Sequence, residues 1–338
     1  MTRHDVDLLV LGGGPVGLYA AYCAGFRGMS AVLLDSLPRL GGQIAAMYPE
    51  KPIFDIAGFP SVKGKDLVDR LTEQALRFPI ETVLGERAQT IEVDETARRR
   101  FTVVTSAGTT IACAAIVITG GIGHFTPRPL AGSADFMGNG VEHFVTDPDA
   151  YRGRRVAVVG GGDSAVDWSL LLEPIAESVL LVHRRAAFTA HPYSVEMLGR
   201  SRVDVVAPAQ VTALGGQGRL DWVEVTRADA APERRAIDSV VAALGFTANL
   251  GPLLEWGMDI EARRYITVDS TMRSSIDGVY AAGDIVGYPG KVRLISVGFG
   301  EAATAVNNAL HAMHPEQDLF PGHSTDRMPT LAAAGAID

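Results

Sequence analysis

Cysteine is nearly missing from this chain: among 338 residues only Cys23 and Cys113 occur, far apart and outside any Cys-x-x-Cys spacing. That excludes a disulfide framework and a dithiol pair, and it points to a reducing compartment, the cytoplasm. Long apolar runs are missing too. No stretch approaches the ~18 residues needed to span a bilayer, and Met1 to Asp5 lead straight into a strand pattern with no secretory leader. Positive charge is in deficit, with 30 Lys and Arg against 39 Asp and Glu, a net charge of −9. Nucleic-acid binding, which needs clustered cations, is thereby disfavoured. The runs Arg98-Arg99-Arg100 and Arg152, Arg154, Arg155 read as solvated turns, with a local docking patch for an acidic partner as the alternative. The eight histidines are scattered, and His311 and His314 have no carboxylate or cysteine companions in the pattern, so no metal site is expected. Hydrolase chemistry lacks its G-x-S-x-G elbow.

What is there is a doubled pattern. Residues Val6 to Leu11 are an apolar strand, Gly12-Gly13-Gly14 a turn, Val16 to Phe26 a helix, and Ala31 to Leu34 a second strand ending at Asp35. In the spacing Gly12-x-Gly14-x-x-Gly17 the first glycine permits the turn and the second lets a pyrophosphate approach. The third lets helix and strand pack closely, and Asp35 stands where an acid meets ribose hydroxyls. The pattern recurs about 150 residues later: strand Arg155 to Val159, Gly160-x-Gly162-x-x-Ala165, helix Ser164 to Leu172 and strand Val179 to Val182. His183-Arg184-Arg185 follows, where an NAD site would carry an acid, and two guanidiniums there suit a 2′-phosphate. Two such openings predict two nucleotide-binding domains. A helix is expected over Lys65 to Phe78 and another over Phe299 to Met313. Strands are expected over Thr102 to Thr105, Ile111 to Ile118 and Val279 to Ala282, and Pro315 to Pro329 reads as a tail.

Several stretches resemble the thioredoxin-reductase superfamily, and within it the thioredoxin-reductase-type ferredoxin–NADP reductases. They are Leu40-Gly41-Gly42-Gln43, Tyr48-Pro49-Glu50-Lys51, Asp55 to Pro60, Gly162 to Trp168, Ala281 to Asp284, Gly298 to Ala302 and His323-Ser324-Thr325. The resemblance runs from about residue 5 to 326. It implies an α/β chain of two Rossmann-like, three-layer ββα domains: a discontinuous FAD domain, 1–119 with 248–338, and an NADP(H) domain, 120–247. It implies FAD contacts at Gly12, Gly14, Pro15, Gly17 and Asp35, at Gly42, Gln43, Tyr48 and Ala88, and at Phe125, Asp284, Ser324 and Thr325. Tyr48 would stack on one flavin face and His323 on the other, reaching across a homodimer. NADP(H) would meet Gly160, Gly162, Asp163, Ser164, Ala165, His183, Arg184 and Arg185. The chain departs from the pattern at Thr189, where many members carry a basic residue.

The dithiol of thioredoxin reductases would fall near Val141 to Thr146, which here reads Val-Glu-His-Phe-Val-Thr. Electrons would therefore leave the flavin directly, toward ferredoxin or flavodoxin, with no obligatory acid or base. An NAD(P)H oxidase or quinone reductase would share these motifs, and a slow redox-sensing flavoprotein is the reading outside catalysis. Thr119-Gly120-Gly121 and Gly245-Phe246 mark the joins between the domains, as hinges or as plain turns.

Overall fold

Short apolar runs bounded by glycine become parallel strands, and small-residue stretches between them become the helices that cover them. The computed structural model describes residues 2–228 and 230–326. The chain forms two units, one made of residues up to His124 together with those from Ala248, the other spanning Phe125–Thr247.

The first unit begins β1 (Arg3–Leu11), α1 (Pro15–Phe26), β2 (Ala31–Asp35), α2 (Gly42–Met47), the ribbon β3 (Pro52–Ile53) and β4 (Val62–Lys63), and α3 (Gly64–Ala75). Then follow β5 (Glu81–Leu84), β6 (Ala88–Val93), β7 (Phe101–Thr105) and β8 (Thr110–Ile118). Strands β5, β2, β1 and β8 are adjacent and parallel. Strand β8 then forks: its first half pairs antiparallel with β7, while Ile116 to Ile118 pair parallel with a strand from the end of the chain. Where they are buried on both faces, at Leu8 to Leu11 of β1, Ala31 to Leu34 of β2 and Ile111 to Ile118 of β8, the strands are apolar.

The second unit holds β9 (His124–Pro127), β10 (Val141–Glu142), β11 (Arg155–Val159), α4 (Asp163–Leu172), β12 (Ser178–Val182), α5 (Pro192–Gly199) and β13 (Asp204–Val206). It continues with β14 (Gln210–Gly215), β15 (Trp222–Thr226), β16 (Glu233–Ala236), β17 (Ser239–Ala242) and β18 (Phe246–Asn249). Five parallel strands run in the order β10-β17-β11-β12-β13, and β14-β15-β16 form an antiparallel meander. Alternation assigns the layers: Ala157, Val159, Leu180 and Val182 share a core with Val211, Val223 and Val225 of the meander. Their neighbours Val156, Val158, Val179 and Leu181 are buried on the other face, that of α4. The three layers are thus meander, sheet and helix.

The chain returns to the first unit as β19 (Ile260–Glu261), β20 (Tyr265–Thr267), β21 (Val279–Ala281), β22 (Val286–Gly287) and α6 (Ile295–Met313). Strand β21 is the partner of the β8 fork, and Ile266, Val268 and Met272 join the core built on β1 and α1.

Helix α3 ends at Ala75, short of the expected Phe78, whose ring instead packs against Gly25 of α1. Helix α6 starts a turn earlier than expected, at Ile295. His314 does have a carboxylate companion, since its Nδ1 lies 3.1 Å from Glu316 Oε1 across two residues. Four of the six arginines in the basic runs are ion-paired, while Arg98 and Arg154 hold no carboxylate among the described residues. Arg99 binds Asp5 and Asp7, Arg100 binds Glu95, Arg152 binds Asp149, and Arg155 binds Asp238. Residues 327–329 of the expected tail lie outside the described residues.

Phe101 is fully buried where β7 meets β8, and its ring packs against Gly278. Phe101→Ala is expected to destabilise the protein by about 3–5 kcal/mol, read from urea unfolding. A loss under ~1 kcal/mol would contradict a close-packed fork.

Candidate functional site

The N-terminus of α1 gathers most of the expected residues of the first unit. Gly12 has φ +113°, and a Cβ there would lie 2.7 Å from Thr119 O. A Cβ on Gly17 would fall 1.7 Å from Gly12 O, so strand and helix meet only because both positions are bare. Gly14 differs: the nearest atom to its Cβ position is 3.9 Å away. Packing within the protein does not require a glycine there, whereas an incoming phosphate does. Pro15 opens α1 at a position that needs no N–H. No side chain caps this helix, so its first amides and the positive end of its dipole remain available to an anion.

The second glycine turn lies directly against the first. Gly41 N donates to Gly13 O (2.8 Å), and Gly42, at φ +54°, lies close enough that its Cβ would be 2.8 Å from Gly14 Cα. Gln43 packs on Gly121, just after β8. Asp35 accepts from Gly13 N (2.5 Å) and Leu37 N (2.7 Å). Burial pushes its pKa up and those two amides pull against it. Glu86 N reaches Asp35 O (3.2 Å), which brings Ala88 at the start of β6 toward the same end. Tyr48 ends α2 half-buried. Its hydroxyl is pushed up to about 12, first by burial and then by the charges of Asp284 and Asp55.

Asp284 follows β21, and Gly283 touches Val16 in the first turn of α1. Behind this turn lies a group of buried charges that sequence reasoning missed. Glu301 of α6 accepts from Gly283 N (2.8 Å), Tyr288 Oη (2.5 Å) and Lys291 Nζ (2.5 Å). The Glu301 and Lys291 side chains are only 5% and 4% exposed. The carboxylate fixes the turn carrying Asp284, and the ammonium neutralises it there. The signal was a Glu inside an otherwise small and apolar helix, Gly300-Glu301-Ala302.

In the second unit a Cβ on Gly160 would meet Ala243 O at 2.3 Å, whereas Gly162 faces open space up to Thr189 Oγ1 at 3.8 Å. Helix α4 also lacks a side-chain cap. Ala165 is buried in its first turn, Ser164 is exposed there, and Asp163 Oδ1 accepts from His191 N (2.8 Å). His183 is buried in the loop after β12. Its ring covers Gly161, stacks on Phe188 and bonds Ala187 O (3.1 Å), so it shapes the loop. Thr189 clips the loop down, with N (2.8 Å) and Oγ1 (3.2 Å) both on Gly161 O. Arg184 and Arg185 are exposed and carry no ion pair among the described residues.

The remaining expected residues lie elsewhere along the chain. Phe125 belongs to the second unit, against Phe144 and Phe246. Ser324 and Thr325 are exposed in a turn closed by Asp326 N on His323 O (3.1 Å). His323 contacts Phe320 edge-on, and that tail is tied down upstream, where Arg27 donates to Asp318 O (2.7 Å) and Leu319 O (3.3 Å). Both cysteines belong to the first unit, and burial pushes each thiol up to about 12.

Two Rossmann-like units, each with a bare glycine facing outward beneath an uncapped helix, define a two-dinucleotide-binding oxidoreductase of the thioredoxin-reductase fold. The model of the pyridine nucleotide-disulphide oxidoreductase family matches residues 6–309, and the chain belongs to that family. It is 52% identical to the ferredoxin–NADP reductase of Nocardioides sp. (strain JS614), covering 95% of this chain and 97% of that one. It is also 52% identical to that of Salinispora tropica, over 96% and 99%. Among solved structures, T. acidophilum thioredoxin reductase superposes with a TM-score of 0.75 at 24% identity, covering 93% of this chain and 99% of that one. Lactococcus lactis thioredoxin reductase does so with 0.75 at 21%, over 91% and 99%.

Gly14→Ala and Gly17→Ala separate ligand approach from folding. Gly17→Ala is expected to yield little folded protein. Gly14→Ala should keep its melting temperature within a few degrees as apoprotein but lose at least about tenfold in flavin-nucleotide affinity. Equal behaviour of the two variants in thermal melts would contradict the distinction. Ellman's reagent at pH 8 should titrate neither thiol until the protein unfolds; fast labelling of native protein would contradict their burial.

Proposed function

We propose that this chain is an FAD-dependent ferredoxin–NADP reductase, with FAD on the first unit and NADPH on the second. FAD, when bound, takes a hydride from a nicotinamide and passes electrons on singly. The chain's own residues bind and orient. The α1 amides and Gly14 would receive the FAD pyrophosphate, with Asp35 at the adenosine ribose and Asp284 at the ribityl side. Tyr48, kept protonated by its surroundings, would lie against the flavin ring as a neutral stacking face. The α4 amides and Gly162 would take the second pyrophosphate, with Arg184 and Arg185 on the 2′-phosphate. No acid or base step is assigned to any side chain.

The observation that carries this reading is the second unit itself: a dinucleotide turn beside two unpaired arginines, in a segment with no cysteine at all. A family that elsewhere reduces disulphides here has no thiol with which to do so. Electrons must pass directly from flavin to an acceptor, which fits the one-electron carrier named in the relatives.

Residues Ser324 and Thr325 with His323 are proposed to act across a homodimer. Arg27 ties the tail at the C-terminal end of α1, about 18 Å along the helix from its glycine turn. Four residues from Leu319 to His323 reach at most ~14 Å, and six to Thr325 ~22 Å, so His323 cannot double back along the helix and Thr325 could do so only fully extended. A second chain supplies the reach. Cytoplasmic residence is proposed from the free thiols; no helix of the described residues is long and apolar enough to cross a membrane.

NADPH-driven reduction of cytochrome c should depend on added ferredoxin, and dye reduction without any ferredoxin-dependent rate would overturn the reading. Arg184→Ala/Arg185→Ala is expected to lower kcat/KM for NADPH by about 10- to 100-fold while leaving NADH within about threefold. A parallel loss with both cofactors would remove the arginines from 2′-phosphate recognition.

A further inference from the structure

Ten of the 26 arginines in this acidic chain are ion-paired among the described residues. Arg99, Arg100, Arg155, Arg200, Arg235 and Arg273 each hold a carboxylate. In the first unit, one place gathers three arginines that hold none. Arg263, Arg264 and Arg293 are exposed and pair with no carboxylate among the described residues. Two of them converge on a single ring: the Arg293 guanidinium lies 4.1 Å and that of Arg264 5.4 Å from the centre of Tyr265. Stacking on an aromatic face holds a guanidinium in place while leaving its N–H edge free for an acceptor.

The hairpin that carries the first two arginines is strained. Arg264 N donates to Glu261 O (2.9 Å), closing a turn whose central residues Ala262 and Arg263 have φ +50° and +54°. Asn-Gly suits such a turn far better. Ala-Arg here gives up local stability, and what it gains is a cation at the tip.

Beside the cations lies exposed apolar surface. Val292 and Leu294 flank Arg293 and are 54% and 39% exposed; Phe54 is 71% exposed. Ser296 Oγ donates to Asp55 O (2.7 Å), which ties the Phe54 segment to the start of α6, two residues beyond Leu294. Carboxylates lie here too, among them the exposed Asp55 next to Phe54. Glu50 is occupied by Lys63 and Lys65, and Glu261 lies against Gly287 at the root of the hairpin.

The patch is joined to the flavin-side turn. Strand β20, which bears Tyr265, pairs with β22 through Ile266 and Val286, two residues after Asp284. Arg293 follows Lys291, whose ammonium is bound to the Glu301 that holds Gly283.

We infer that Arg263, Arg264 and Arg293, with Val292, Leu294 and Phe54, form the docking surface for the electron acceptor, a small protein with an acidic face around a one-electron centre. The inference rests on the ferredoxin–NADP reductase reading and deepens it. An apolar centre with a cationic margin is the form that a transient, steered encounter takes. The chain's net charge of −9 makes the patch a local exception and so aims an acidic partner at this face.

The test compares holoenzyme carrying Arg263→Glu/Arg264→Glu, or Arg293→Glu, with wild type and with Arg98→Glu, an exposed arginine of another turn. Ferredoxin is the probe, and ferricyanide is the control acceptor. At low ionic strength the patch variants should raise the ferredoxin KM about tenfold or more, the gap closing as salt is added. Arg98→Glu should stay within twofold, as should NADPH–ferricyanide turnover of every variant. A ferredoxin KM within twofold of wild type in the patch variants overturns the inference. So does a shift from dimer to monomer in sedimentation, which would make the patch a self-association face. Wild type that reduces ferricyanide but not ferredoxin instead fails the functional reading itself. If a Glu variant loses flavin or melts early, Arg264→Gln and Arg293→Gln carry the same test, since removal of charge alone must raise KM.

Discussion

A Cβ on Gly17 would occupy nearly the same space as the carbonyl oxygen of Gly12. Because neither residue has a side chain, β1 can turn into α1 within three residues and deliver the helix N-terminus, uncapped, to the edge of the parallel sheet. The other expected elements of the first site are placed by that contact. The Gly41–Gln43 turn hydrogen-bonds to it, Asp35 accepts one of its amides, and Gly283 closes on Val16 just inside the helix. The second unit repeats the solution in a looser form. There Gly160 must be bare, as must Gly161 beneath the His183 ring, and Ala165 is tolerated at the third position of the spacing, where a Cβ fits.

The second constraint is electrostatic. A protein with nine excess negative charges that handles phosphates must place its few available cations with care. It binds ten of its arginines to carboxylates and, among the described residues, leaves Arg184 and Arg185 without an ion pair beside α4. It also buries one lysine, Lys291, against Glu301 beneath the Asp284 turn. Removing one partner of such a pair leaves an uncompensated buried charge, costing about 3–5 kcal/mol. That penalty holds the β22–α6 connection to the turn more firmly than the loop's own sequence would.

Much of this was legible in the sequence where one residue type has one physical purpose. Glycine spacing located both helix termini, the apolar run Ile111 to Ile118 marked the central strand, and the terminal acid Asp35 was found at its strand end. What escaped was set by tertiary context. Strands β6 and β16 are half-exposed, and β16 carries charged residues such as Arg234 and Arg235, so they lack the alternation that betrays a strand. The ring of His183 packs on Gly161, a contact its sequence neighbours do not reveal. Arg99 and Arg155 looked free because their carboxylates come from distant strands or turns. The Lys291–Glu301 pair spans ten residues and a helix start, a spacing no local pattern reveals.

The account stands on electrons leaving the flavin with no thiol in between. Anaerobic dithionite titration of the purified holoenzyme reads this directly, through bleaching of the flavin band against reductant added. Full reduction at two electrons per subunit, unchanged in Cys23→Ser/Cys113→Ser, is the expected result. Uptake of four electrons per subunit, falling to two in the serine variant, would place a dithiol in the path and contradict it.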